Sequence, residues 1–177
     1  EYRCEHISQF MANAVEKCAA SAEAAARRDE DAIASMTDAL LRAGMAMGLA
    51  NVTRPASGCE HHMTHYCDID LISRGLDYPL HGNTVGICTL AMLRFYDMAR
   101  KDGLTDLYTP QAEEIREMIE RIGGPTSPLE IGVDKDLFHR AMLNAKDLRP
   151  QYSMLRHVAN AGLLEKYTDI VMKEMLN

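Results

Sequence analysis

Four of the seven histidines lie within 21 positions, from His61 to His81. His61 and His65 are four residues apart, so on a helix both imidazoles project from one face while His62 points elsewhere. Neutral imidazole is the most common protein ligand for metals such as zinc, and it also binds nickel and ferrous iron. The spacing therefore predicts that His61 and His65, joined by His81 from a loop, converge on one metal ion or on a substrate.

Other chemistry is less well supported by the residue pattern. Cys59 and Cys67 flank the histidines, so a closed structural zinc site with mixed ligands is an alternative, although no C-x-x-C pair is present. The chain has no G-x-S-x-G elbow and no G-x-G-x-x-G or G-x-x-x-x-G-K loop. No residue is assigned as a catalytic nucleophile, acid or base. The isolated histidines are predicted to be structural or surface groups: His6, His139 and His157.

The elements that must position the cluster are predicted to be helices. Apolar residues recur at helical spacing, and caps, prolines and glycines mark the ends. Asp29 or Asp31 is expected to cap the second helix, and Ser57 the third. The only candidate strand is 129–131. The pattern indicates an all-α protein, with one helical domain over residues 1–177. The predicted helices span about 1–29, 30–51, 60–71, 85–98, 110–122, 135–144, 153–160 and 163–176.

Composition limits the partners. The chain has 26 acidic and 19 basic residues and a net charge of −7, which argues against binding to nucleic acid. No apolar run approaches the roughly 20 residues of a membrane span, and the N-terminal residues lack the layout of a signal peptide. Five scattered cysteines favour reduced thiols. We therefore expect a cytoplasmic protein that binds neither nucleic acid nor membrane.

Two segments carry a resemblance to a known family: 54–65, with the sequence RPASGCEHHMTH, and 80–86, with the sequence LHGNTVG. They resemble sn-glycerol-1-phosphate dehydrogenase, of the superfamily that also contains iron-type alcohol dehydrogenases, glycerol dehydrogenase and dehydroquinate synthase. The likeness extends to 149–155. These enzymes join an N-terminal nucleotide-binding domain to a helical C-terminal domain. The resemblance implies that this chain, residues 1–177, is the single helical metal- and substrate-binding domain, without the N-terminal nucleotide-binding domain.

The resemblance also implies roles for the histidines. His61 and His81 match the metal ligands of the family, and His65 matches its substrate-contacting histidine. A third ligand in the family is an aspartate of a Gly-Asp segment that has no equivalent in residues 1–177. The chain alone is therefore expected to be inactive.

The implied reaction interconverts sn-glycerol-1-phosphate and dihydroxyacetone phosphate. A divalent ion of zinc, nickel or iron would polarise the substrate hydroxyl, and NAD or NADP, bound mainly by the absent domain, would accept the hydride. The open alternatives are a glycerol dehydrogenase, a dehydroquinate synthase-like enzyme and a free-standing helical metal-binding or interaction module. A homo-oligomer is possible in each case.

Overall fold

The computed structural model describes residues 4–176, and it contains eight α-helices, two short 3-10 helices and no strand in that range. The predicted all-α class is confirmed. Residues 1–3 of the predicted first helix lie outside the described residues. The helices are α1 Glu5–Ala26, α2 Glu30–Ala50, α3 Cys59–Ser73, α4 His81–Lys101, α5 Ala112–Arg121, α6 Lys135–Asn144, α7 Met154–Asn160 and α8 Leu164–Leu176, and the 3-10 helices are Pro128–Ile131 and Ala145–Asp147.

Within the described range the chain forms two compact units, one of residues 4–58 and 121–123 and one of 59–120 and 124–176. In the first unit, α1 and α2 pack as a helical hairpin. Asp29 ends the connection between them, and its side chain accepts a hydrogen bond from the Ala32 amide at 2.9 Å, so it caps α2 as predicted. Small side chains let two helices approach closely. The buried residues of this hairpin are all alanines: Ala14, Ala22, Ala32, Ala39 and Ala46.

The second unit has a continuous apolar core, and α4 has more buried residues than any other described helix. α3 packs on α4 and α6, and α8 packs on α4 and α6. The largest fully buried side chains include Tyr167, Phe95 and Phe138, and the rings of Phe95 and Tyr167 meet edge to face at 5.8 Å. α3 contributes residues at four-residue spacing to this core: Cys59, Met63, Cys67 and Leu71.

One sequence-based prediction of local structure, the start of α4, is wrong, and the single candidate strand is not formed. Residues 129–131 are not a strand but part of a 3-10 helix, because Pro128 opens it and Ser127 and Glu130 form a capping box. α4 begins at His81 rather than at residue 85, so His81 is the first residue of a helix and not a loop residue. Leu80 precedes it without any side-chain capping hydrogen bond, so the usual polar start signal is missing.

Candidate metal centre

The face of α3 opposite the apolar core carries polar side chains at helical spacing. His61, His65 and Asp68 are separated by four and three residues, so they lie on one side of the helix. His62 is rotated away from this face and is only 5 % exposed. The predicted pairing of His61 and His65 on one face, with His62 elsewhere, is consistent with the geometry. The packing of α3 against α4 brings His81 to this face.

The imidazoles of His61, His65 and His81 form one cluster. One nitrogen from each ring lies within 4.8 Å of the others, and no other set of three His, Cys, Asp or Glu ligand atoms among the described residues meets that condition. Nδ1 of His61 is 3.1 Å from Nε2 of His81. Ring centroids are 5.2 Å apart for His61 and His81, 5.2 Å for His65 and His81, and 6.2 Å for His61 and His65. The structure thus brings together the three residues that the sequence singled out.

The electrostatic environment keeps two of these imidazoles neutral. Burial lowers the pKa of both His61 and His65. The negative charge of Glu60 opposes this at His61 and that of Asp68 at His65, while Arg149, and His81 when it is protonated, lower each pKa further. A metal binds the neutral imidazole, because protonation occupies the lone pair that would bind it. Both groups therefore present lone pairs at neutral pH. The His61–His81 pair also fits a metal by distance, because its facing nitrogens are 3.1 Å apart and two nitrogens bound to one tetrahedral zinc lie about 3.3 Å apart, given Zn–N bonds of about 2.0–2.1 Å.

Two residues beside the cluster were not assigned a role from the sequence. Oδ2 of Asp68 is 3.3 Å from Nδ1 of His81, and its spacing from His61 on α3 was a signal that could have found it. Arg149 is exposed and follows the 3-10 helix Ala145–Asp147, which packs on α3. Only the tertiary fold reveals that the charge of Arg149 lowers the pKa of His61 and of His65.

The remaining histidines and the cysteines lie outside the cluster. His157 is structural, as predicted: its Nε2 donates to the Leu104 carbonyl at 2.9 Å, and its Nδ1 accepts from the Tyr152 hydroxyl at 2.7 Å. Neither Cys59 nor Cys67 joins a metal-ligand set in residues 4–176, and both are buried in the apolar core. The alternative of a mixed Cys/His zinc site therefore finds no support in the described structure.

No described helix is both long and apolar enough to cross a membrane.

No family model matches the chain. Among curated proteins, the chain is similar to enzymes that share one name, glycerol-1-phosphate dehydrogenase [NAD(P)+]. The glycerol-1-phosphate dehydrogenase [NAD(P)+] of Bacillus licheniformis is 28% identical over 172 residues, covering 91% of this chain and 43% of that protein. The enzyme of the same name from Thermococcus kodakarensis is 29% identical over 88% of this chain and 40% of its own length. That from Metallosphaera sedula is 33% identical over 124 residues, 70% of this chain and 31% of its own.

These relatives confirm the resemblance identified in the sequence. The chain spans less than half the length of the curated relatives it matches.

Proposed function

Because this chain is related to glycerol-1-phosphate dehydrogenases over about nine-tenths of its length, we propose that it is the metal- and substrate-binding helical part of such an enzyme. The complete protein would interconvert sn-glycerol-1-phosphate and dihydroxyacetone phosphate with NAD or NADP. The observation that carries this proposal is the convergence of three imidazoles on one site in a chain with these relatives.

The residues divide into two roles in this proposal. His61 and His81 hold the metal, which is supported by the 3.1 Å separation of their facing nitrogens. A divalent metal bound there supplies Lewis-acid polarisation of the substrate hydroxyl. His65 contacts the substrate beside that site, and its lowered pKa leaves it neutral and able to accept a proton from the hydroxyl or to donate a hydrogen bond to it. In the complete protein the nicotinamide cofactor would be bound mainly by a nucleotide-binding domain outside residues 1–177.

A charge beside the cluster favours a phosphorylated substrate over a free polyol. Arg149 is exposed, and it forms no ion pair with a carboxylate in residues 4–176. Its guanidinium is therefore available to an anionic group that enters the site, and guanidinium is well matched to phosphate. Zinc, nickel and iron all accept imidazole ligands, so the identity of the metal is left to experiment. A cytoplasmic location and a homo-oligomeric state stay predictions.

The test is metal content and sn-glycerol-1-phosphate-dependent NAD(P)H formation by the complete gene product. We expect His61→Ala and His81→Ala to lose both metal and activity. His65→Ala should keep the metal but lose turnover. His157→Ala is the matched control, because that histidine is structural, and it should retain metal and specific activity in the folded fraction.

The alternatives predict different results. Equal turnover of glycerol and its phosphate would indicate a glycerol dehydrogenase. Elimination of phosphate without a net change of the nicotinamide would indicate a dehydroquinate synthase-like enzyme. Metal binding without any of these activities would indicate a metal-binding module, and a metal-free wild-type protein would contradict the proposed site.

A further inference from the structure

We propose that Asp68 is a positioning residue that holds His81 in the tautomer and orientation needed to bind the metal. This inference rests on the proposed function, because it assigns the group that supports one of its metal ligands. Asp68 faces Nδ1 of the His81 imidazole, whereas His61 faces Nε2 of the same ring.

The first argument is the direction of the hydrogen bond. Nδ1 of His81 is 3.3 Å from Oδ2 of Asp68. An ionised carboxylate only accepts hydrogen bonds, so Nδ1 of His81 must carry the proton and donate it. In the neutral imidazole the lone pair is then on Nε2, which is the atom that lies 3.1 Å from Nδ1 of His61. Asp68 therefore turns the ligating nitrogen of His81 towards the shared site.

The second argument is that Asp68 lacks the lysine or arginine partner that several other aspartates of this unit have. Asp70, Asp97 and Asp147 each pair with a lysine or arginine. The Asp68 side chain is only 16 % exposed, yet its one ion-pair partner in residues 4–176 is His81, which is charged only when protonated. Its second oxygen, Oδ1, is buried and has no hydrogen-bond partner there. A partly buried carboxylate without a cation is costly.

A metal ion beside His81 offsets that cost. The ion places positive charge on the imidazole, and the Nδ1–H group transmits part of it to the carboxylate. In the other direction, the carboxylate increases the basicity of Nε2 and restricts ring rotation. A carboxylate–histidine–metal arrangement of this kind explains both the hydrogen bond and the absence of a lysine or arginine partner. Removing such a carboxylate typically weakens metal binding 10–100-fold.

The experiment compares Asp68→Asn and Asp68→Ala with wild type in the complete gene product. Zinc affinity is measured by competition with a chromophoric chelator, and coordination geometry by the visible absorption of the Co²⁺-substituted protein. Asn keeps the size of the side chain, so it remains informative if the Ala variant does not fold. Asp70→Asn is the matched control, because it removes a carboxylate from the same helix, one that faces Arg74 and Arg140 instead of His81.

We expect about 10–100-fold weaker zinc binding in both Asp68 variants, still at one ion per chain, with a changed Co²⁺ spectrum. Asp70→Asn should bind zinc like wild type with an unchanged spectrum, even though it is less stable. Unchanged zinc affinity and spectrum in Asp68→Asn and Asp68→Ala would overturn the positioning role. A loss as complete as that of His61→Ala would also overturn it, because Asp68 would then be a direct ligand.

Failure of this inference is distinguishable from failure of the proposed function. If wild type binds metal, His61→Ala loses it and the Asp68 variants bind normally, only the role of Asp68 is overturned. If wild type binds no metal at all, the proposed site and the role of Asp68 both fall.

Discussion

Nη1 of Arg140 on α6 donates a 2.8 Å hydrogen bond to Oδ1 of Asp70 on α3, across 70 positions of sequence. Nη1 of Arg74, the residue that follows α3, donates a 3.0 Å hydrogen bond to the other carboxylate oxygen. Asp70 lies two residues beyond Asp68, so this bond fixes the end of the helix that carries the histidine cluster. The hydrogen bonds from Arg140 and then Arg74 lower the pKa of Asp70.

The first prediction concerns pH-dependent stability. Because the pKa of Asp70 is lower in the folded than in the unfolded chain, its stabilising effect is fully present above the unfolded value of about 3.9. The effect is lost as the pH falls through the folded pKa. We expect Asp70→Asn to reduce the free energy of unfolding by about 1 kcal/mol at pH 7, since both side chains remain partly exposed to solvent.

Urea unfolding of wild type and Asp70→Asn from pH 7 to pH 3 checks this. The difference between the two proteins should shrink below about pH 4. A difference of the same size at every pH would mean that the charge of Asp70 is not what stabilises the contact.

A second prediction uses two glycines that face the same isoleucine. A Cβ built at Gly86 on α4 would lie 3.8 Å from Cδ1 of Ile119, which is ordinary van der Waals contact. At Gly124, just after α5, it would lie 2.8 Å from Cγ2 and 3.3 Å from the carbonyl oxygen of the same residue. We expect Gly86→Ala to stabilise the protein by about 0.5–1 kcal/mol, because alanine is the better helix former. Gly124→Ala should destabilise it by about 1–3 kcal/mol through overpacking.

Thermal unfolding of the two variants is the measurement, and each serves as the control for the other. Opposite shifts in melting temperature are expected. Shifts of the same sign would show that contact with Ile119 does not decide the outcome.

The helices were predictable because their signals are local. Asp29 caps α2 and Ser153 caps α7 through side-chain hydrogen bonds to backbone amides, which spacing alone indicates. The start of α4 was missed for the opposite reason. The residue before His81 is Leu80, whose side chain cannot cap a helix, and the residues after it, Gly82 and Asn83, are weak helix formers. Packing of α4 against α3, and not local preference, therefore sets this end of the helix.

The candidate site was predictable in part. His61 and His65 follow from spacing on one helix, and both the clustering of histidines in the sequence and the resemblance indicated His81. Asp68 follows from the same helical periodicity, because it lies inside the predicted helix 60–71 as well as inside α3. Arg149 does not, because no periodicity links it to residues more than 80 positions earlier. Its charge reaches the cluster only through the packing of the 3-10 helix Ala145–Asp147 on α3.

The third prediction concerns the cysteines. Cys59, Cys67 and Cys88 are buried free thiols, and burial raises the pKa of each, to about 12 for Cys67. Alkylation requires both access and the thiolate, so these three should not react in the folded protein at neutral pH. Cys4 and Cys18 are partly exposed and should react first.

Peptide mass spectrometry after brief iodoacetamide treatment measures this, with a sample denatured in guanidinium chloride as the control in which all five react. Rapid labelling of Cys59 or Cys67 in the folded protein would mean that the core around α3 opens readily. It would also reopen the alternative in which these thiols reach a metal.

The last prediction tests Arg149 as the residue that recognises the anionic part of the substrate. The charge of its guanidinium lowers the pKa of His65, the proposed substrate contact. The guanidinium forms no ion pair with a carboxylate in the described chain. A charge-assisted hydrogen bond to phosphate contributes about 1.5–3 kcal/mol. We therefore expect Arg149→Gln in the complete enzyme to lower kcat/KM for sn-glycerol-1-phosphate at least about 10-fold and to leave any turnover of glycerol unchanged. Arg74→Gln is the control, because that arginine is paired with Asp70. An equal loss with both substrates would assign Arg149 a role in the fold of the site, and no loss with either would exclude contact with the phosphate.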